Sequence, residues 1–188
     1  MYISEYIIGE LNMLKVIENC CDVQYLSMLK YAAQESDGWN LKHPLGHPLE
    51  DKHLKLTVIE NDPVNEMIAG MAMGLLIQIY SSNDELGRPA SEYFYPEVSY
   101  CGISIKDEYR DDNPHIDHEK DSDYIKIVGL LNSNWNEKDG GAFIHGKETV
   151  HMKSGNFVIF DPRVSHCAAK IKTHEKRIGI DFTVRRKK

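Results

Sequence analysis

Between Asn113 and Tyr124 the chain reads NPHIDHEKDSDY, which places a His-x-Asp triplet, His115 and Asp117, inside a run of histidines and acids. In an extended segment residues two apart point to the same face. His115 and Asp117 can therefore offer one metal ion a nitrogen and an oxygen side by side. In a chain with nine histidines such a triplet carries no information alone. An open Fe(II) site takes two histidines and one carboxylate on one face of the ion, so a second histidine must arrive from a distant segment. His166, in FDPRVSHCAAKI, is the best candidate.

RIGIDFTV near the C-terminus adds a different chemistry. Its alternation puts Ile178, Ile180, Phe182 and Val184 on one face, against a covering helix, and Arg177, Gly179, Asp181 and Thr183 on the other. An arginine opening an inward face is costly unless an anion meets it. A planar guanidinium grips a carboxylate through two parallel hydrogen bonds, and Gly179 leaves room beside it. A two-His, one-carboxylate set with an inward arginine describes an iron site that takes a dicarboxylate co-substrate.

The elements that must hold these residues differ between the two halves. Up to about residue 96 the pattern is helical. Val23, Leu26, Leu29, Ala32 and Ala33 recur at helical spacing before the turn residues ESDGW. A second, buried helix runs to Tyr80, opened by Asp62 and Pro63 with Asn61 or Asp62 as its cap. HPLGHPLEDKH, His43 to His53, holds three histidines, but the prolines beside two of them mark it as a turn. From about residue 97 to 185 short segments rich in β-branched and aromatic residues follow one another: VSYCGISI, DYIKIVGLLN, GAFIH, ETVHM, NFVIF, VSHCAAKI and RIGIDFTV. Helices followed by a run of strands predict one α+β domain over residues 1–188, with a helical flank on an antiparallel sandwich or barrel.

Composition sets the outer limits. A net charge of −7 argues against a protein that grips duplex nucleic acid, which needs clustered basic residues. The one basic run, Arg185 to Lys188, reads as a solvated terminus. Cys20, Cys21, Cys101 and Cys167 form neither a C-x-x-C pair nor an even framework, so reduced thiols and a cytoplasmic setting are expected. The apolar stretch from Ile68 to Tyr80 falls short of the about twenty residues a membrane helix needs. The N-terminus lacks the charge and apolar pattern of a secretory signal.

Taken together, these residues resemble the 2-oxoglutarate/Fe(II)-dependent dioxygenases, and within them the prolyl-hydroxylase-like branch, which includes phage and marine bacterial members. The resemblance covers roughly Tyr100 to Val184 and rests on LLNSNWNEKDGG, GNFVIFDPRVSHCA and RIGIDFTV. It implies a double-stranded β-helix (jelly roll), Fe(II) held by His115, Asp117 and His166, and 2-oxoglutarate held by Arg177. Its activity is O₂-dependent hydroxylation, with release of succinate and CO₂, of a prolyl or other peptidyl residue. The same chemistry on a small metabolite or nucleobase is the first alternative; a non-catalytic jelly-roll binding module, which has little use for an inward arginine beside a triad, is the second. Ile105, Lys106, Asp112 and Leu130 stand where members of the branch carry tyrosines. The usual tyrosine contact to the co-substrate therefore passes to Lys106, Tyr100 or Tyr124. Lys176 and Lys106 are the cations next in line after Arg177. His118 is expected in solvent, His145 and His151 at a hairpin or pocket rim, and Arg163 at the cavity mouth or in a salt-bridged loop. Trp135 with Asn134 is expected to order a turn, and Gly140 and Gly141 to permit a tight bend or close approach. The acids at Asp111, Asp112, Glu119, Asp121 and Asp123 are expected to border the metal mouth and to favour a neutral or basic substrate.

Overall fold

Alternation along RIGIDFTVRR makes β11 (Arg177–Arg186) a strand with two different faces, and the molecule is built on both. The computed structural model describes residues 13–42, 53–107, 112–117 and 123–188. β11 pairs antiparallel with β5 (Phe94–Lys106) on one side and β6 (Tyr124–Leu130) on the other. β9 (Phe157–Phe160) and β1 (Leu14–Ile17) extend the sheet beyond β6. β3 (His53–Glu60) and β2 (Asn40–Lys42) extend it beyond β5, and the two-residue β4 (Asp62–Pro63) folds back on β3. A smaller sheet has the order β10 (His166–Ala168), β7 (Phe143–His145), β8 (Glu148–Val150).

Two helices cover the outer face of the large sheet, α1 (Val23–Gln34) and α2 (Glu66–Tyr80). Leu26, Leu29 and Ala33 of α1 and the apolar face of α2 meet Ile178, Ile180, Phe182 and Val184 of β11 in one core. The alternation read from the sequence is thus the alternation observed. A second, smaller core lies on the inner side and joins Leu130, Val158 and Phe160 to Trp135, Phe143, Met152 and Ile171. Between the two sheets, beyond that inner core, the functional residues gather.

Three expectations change. The first half is not only helical: HLKLTVIE alternates Leu54, Leu56 and Val58 with Lys55 and Thr57 and forms the eight-residue β3, with Leu56 and Val58 buried. Nor does α2 begin at Asp62. Asn61 turns the chain at φ 63°, Pro63 pairs with Ile59, and Asn65 becomes the cap, its side-chain oxygen accepting from the Ile68 N–H at 3.1 Å. The basic C-terminus is held rather than frayed. Arg185 meets Glu97 at 3.2 Å, Arg186 meets Asp161 at 3.1 Å, and the Lys187 ammonium donates to the Ser91 carbonyl at 2.7 Å. Among the described residues no helix is long and apolar enough to cross a membrane.

Gly129 shows how closely the outer core is fitted. It pairs with Phe157 across β6 and β9, and a Cβ at this position would overlap the Phe157 ring. Both neighbours are in the core, so neither can move freely. Gly129→Ala should therefore lower stability by about 1–3 kcal/mol in denaturant unfolding, and an unchanged midpoint would contradict this packing.

Candidate metal centre

His115 and Asp117 reach the site on an irregular segment, not on the regular strand that their spacing suggests. The segment lies antiparallel beside β10 through a single bridge: the His115 N–H donates to the His166 carbonyl at 3.0 Å and the His166 N–H returns the bond at 2.9 Å. Asp112 N–H to the Ala168 carbonyl and Asp117 N–H to the Pro162 carbonyl, both 3.1 Å, pin its two ends. The residue types separated by a long stretch of chain are thereby brought together. One donor atom each from His115, Asp117 and His166 lies within 4.8 Å of the others.

Hydrogen bonds fix which imidazole atoms face the centre. His115 Nδ1 lies 3.0 Å from the Asn113 carbonyl and His166 Nδ1 lies 2.8 Å from the Val164 carbonyl. A carbonyl only accepts, so in each neutral ring Nδ1 carries the proton and Nε2 keeps its lone pair. Both Nε2 atoms point to the Asp117 carboxylate, at 3.5 Å from His115 and 3.3 Å from His166. Such outer bonds are how metal-binding histidines are oriented. His166 is buried against Phe160 and Phe143, with ring centroids 4.7 and 5.9 Å away, whereas His115 is half exposed.

Asp117 has a second partner, the Lys126 ammonium at 2.6 Å from Oδ2. Burial works against its charge, but the adjacent His166 ring and the Lys126 ammonium outweigh burial and hold the carboxyl well below the usual carboxylate range. Lys126 had no role in the sequence reading, although the signal was there. In KIVGL it occupies the inward face with Val128 and Leu130, where a charge must have a partner.

The opposite end of the site is built around Arg177. Its guanidinium is buried, and its Nε makes no hydrogen bond among the described residues. Burial pulls its pKa down and nearby Asp112 partly restores it. Across the β5–β11 ladder Arg177 stands opposite Lys106, which is ion-paired to Asp112. Gly141, at φ +65°, and Gly179 leave the space: a Cβ at Gly141 would lie 3.1 Å from Arg177 Cδ, and one at Gly179 3.5 Å from its Nη1. Asn132 holds the strand on both sides of Arg177. Its amide nitrogen donates to the Lys176 carbonyl at 3.0 Å and its oxygen accepts from the Ile178 N–H at 2.8 Å. One cavity of about 530 Å³ is lined by the two histidines, Asp117, Lys106 and Arg177.

The remaining candidates sort clearly. Of the three stand-ins for the missing tyrosine, Lys106 lines the cavity; Tyr100 lies over Lys55, and Tyr124 opens β6 beside Arg185. Lys176 is exposed and faces Asp107. Arg163 is a salt-bridged loop residue on the buried Asp161 carboxylate. His145 lies in the expected hairpin, ending β7 opposite Glu148 of β8, but is buried and not at a rim: its Nε2 donates to the Asp161 carbonyl at 3.1 Å, and burial holds its pKa down. Exposed His151 faces Glu137. Trp135 orders its turn through an indole bond to the Gly140 carbonyl at 3.1 Å. His43, His47, His118, Asp111, Glu119 and Asp121 lie outside the described residues. The other two acids of that run face cations, Asp112 facing Lys106 and Asp123 facing Lys188.

Two sheets with the triad and the arginine between them make a double-stranded β-helix, the fold of the 2-oxoglutarate/Fe(II) oxygenases. Among solved structures of that fold, a Pseudomonas putida prolyl-4-hydroxylase aligns over 97% of this chain and 98% of its own, at 14% identity and a TM-score of 0.61. The non-heme α-ketoglutarate-dependent carbocyclase SnoK of nogalamycin biosynthesis aligns over 98% and 84%, at 11% identity and a TM-score of 0.67. HygX from Streptomyces hygroscopicus, with nickel and 2-oxoglutarate bound, aligns over 97% and 86%, at 9% identity and a TM-score of 0.59. At these identities the likeness is one of fold. No family model matches the chain, and no curated protein matches it.

Removing the Asn132 side chain takes a partner from the Lys176 carbonyl and leaves the buried Ile178 amide, on the other side of Arg177, without its acceptor. Asn132→Ala should lower stability by about 1–3 kcal/mol and weaken anion binding at Arg177. Divalent metal affinity should be retained, because Asn132 touches none of the three clustered residues. Calorimetric titration with metal and then with 2-oxoglutarate separates the two effects.

Proposed function

We propose that the chain is a 2-oxoglutarate- and O₂-dependent Fe(II) hydroxylase in which His115, Asp117 and His166 hold the iron and Arg177 takes the far carboxylate of 2-oxoglutarate. The observation that carries this reading is the pairing, in one cavity, of an open two-His, one-carboxylate cluster with a buried guanidinium whose Nε has no partner among the described residues. A two-nitrogen, one-oxygen set with neutral imidazoles suits Fe(II), and the space kept by Gly141 and Gly179 suits a carboxylate beside Arg177. With iron bound, O₂ and 2-oxoglutarate supply the oxidation: succinate and CO₂ leave, and one oxygen atom is inserted into a substrate C–H bond. The chain's own part is positional. Asn113 and Val164 carbonyls hold the imidazoles, Lys126 steadies Asp117, and Asn132 fixes the backbone on either side of Arg177.

For substrate, the first reading is a prolyl or other peptidyl residue, as the run LLNSNWNEKDGG and the fold of the Pseudomonas putida enzyme suggest. The second reading is a small molecule. The residues of that run with contacts near Arg177, Asn132, Trp135 and Gly141, all serve the co-substrate end. The run therefore does not set a peptidyl substrate above a small molecule.

Wild-type protein should bind one Fe(II) per chain, with Mn(II), Co(II) or Ni(II) able to replace it, and His115→Ala and His166→Ala should each lose it. Full metal occupancy of both variants by elemental analysis would remove the assignment. Arg177→Ala should retain metal while the KM for 2-oxoglutarate rises steeply, a loss on the order of 2–5 kcal/mol. An unchanged KM would move the role to Lys106. Succinate release against proline-containing peptides, free amino acids and nucleosides, with mass spectrometry for one added oxygen, decides the substrate. Turnover of peptides alone supports the first reading, and turnover of free metabolites alone supports the second.

A further inference from the structure

Resting on that reading, the cavity has a second charged wall that the iron and the co-substrate do not use. Arg177 and Asp181 both lie on the inner face of β11, four residues and roughly 13 Å apart at about 3.3 Å per residue. Asp181 is largely buried and flanked by two lysines from other strands. Lys55 Nζ on β3 lies 3.9 Å from Oδ1, and Lys126 Nζ on β6 lies 3.9 Å from Oδ2. Neither distance is a hydrogen bond. Lys126 is drawn to Asp117, and Asp181 Oδ2 is left without a donor among the described residues. Lys55 lies across the Tyr100 ring, 4.8 Å from its centroid. Gly102 makes this possible, since a Cβ there would overlap the Tyr100 hydroxyl and lie 3.0 Å from Lys55 Cε. Burial works against the Lys55 charge, but Asp181 and Tyr100 more than offset it, so the ammonium stays protonated. Lys126 stays with Asp117, and among the described residues no carboxylate oxygen comes closer to the cavity-lining Lys55 ammonium than the 3.9 Å of Asp181, so this ammonium keeps hydrogen bonds to give an incoming anion.

We propose that Lys55, held by Asp181 and Tyr100, is the substrate-recognition residue, and that the substrate is a small carboxylic acid whose carboxylate Lys55 grips while the metal faces one of its C–H bonds. The expectation from the acidic run, a neutral or basic substrate, points the other way. Of that run's described members, however, Asp112 is paired with Lys106 and Asp123 with Lys188. A prolyl ring within a peptide offers Lys55 no anion.

The test uses the full chain loaded with Mn(II) and 2-oxoglutarate under anaerobic conditions, titrated calorimetrically with the free proteinogenic amino acids and with their C-terminal amides. At least one free acid should bind, its amide should bind about tenfold or more weakly, and Lys55→Met should weaken the acid by a similar factor. Lys55→Arg should restore part of the affinity, and 2-oxoglutarate binding, measured in the same cell, should be unchanged in both variants. Failure of every free acid to bind, equal binding of acid and amide, or an unaffected Lys55→Met would each overturn the proposal. Loss of 2-oxoglutarate binding by the wild type would instead remove the hydroxylase reading on which it rests.

Discussion

Arg177 carries a permanent positive charge into the space between two sheets, and the surrounding structure is arranged around that burden. A lone ion moved from water into a protein interior loses several kcal/mol of hydration. Lys106, opposite it across the ladder, adds a second cation, which is ion-paired to Asp112. Glycines rather than side chains occupy the space on either side, and Asn132 ties down the backbone before and after it. A structural arginine would be surrounded by acceptors. Here the Nε atom has none among the described residues, and in the proposed function an incoming carboxylate supplies the acceptor.

The candidate metal cluster at the other end of the cavity obeys a related constraint. His115 and Asp117 sit on a segment that is not a regular strand and would wander without the paired backbone bonds to His166 and the bonds that pin Asp112 and Asp117. The same carbonyl-to-Nδ1 contact, two residues back in sequence, appears at both histidines. Orientation and tautomer are therefore set by local backbone before any ion arrives. The adjacent His166 ring and the Lys126 ammonium keep Asp117 ionised, so the site presents an anionic oxygen beside the two imidazoles.

Much of this was legible in the residue order. Period-two alternation identified the inner and outer faces of β11, because a one-residue slip would have put Asp181 into the apolar core and Phe182 into the cavity. The order His-x-Asp, distant His, then Arg identified the cluster that the fold assembles. Other features were hidden for physical reasons. β3 has the alternation of a strand, but it lies in a half where helical spacing dominates, and only its pairing with β5 reveals it. The start of α2 moved because Pro63 found a strand partner in Ile59, and the propensity at Asp62 was overridden by that pairing. Asn132 and Lys55 act through contacts with residues distant in sequence, and no local pattern marks such contacts, whereas Lys126 carried a local signal in its inward place in KIVGL.

The central claim is that one cavity holds Fe(II) at His115, Asp117 and His166 together with 2-oxoglutarate at Arg177. Anaerobic addition of Fe(II) and 2-oxoglutarate should produce a weak visible charge-transfer band in the wild-type protein. The band requires the co-substrate to be bound directly to iron, so it should vanish in His166→Ala and need much higher 2-oxoglutarate in Arg177→Ala. A wild-type spectrum with no band at saturating Fe(II) and 2-oxoglutarate would contradict the account.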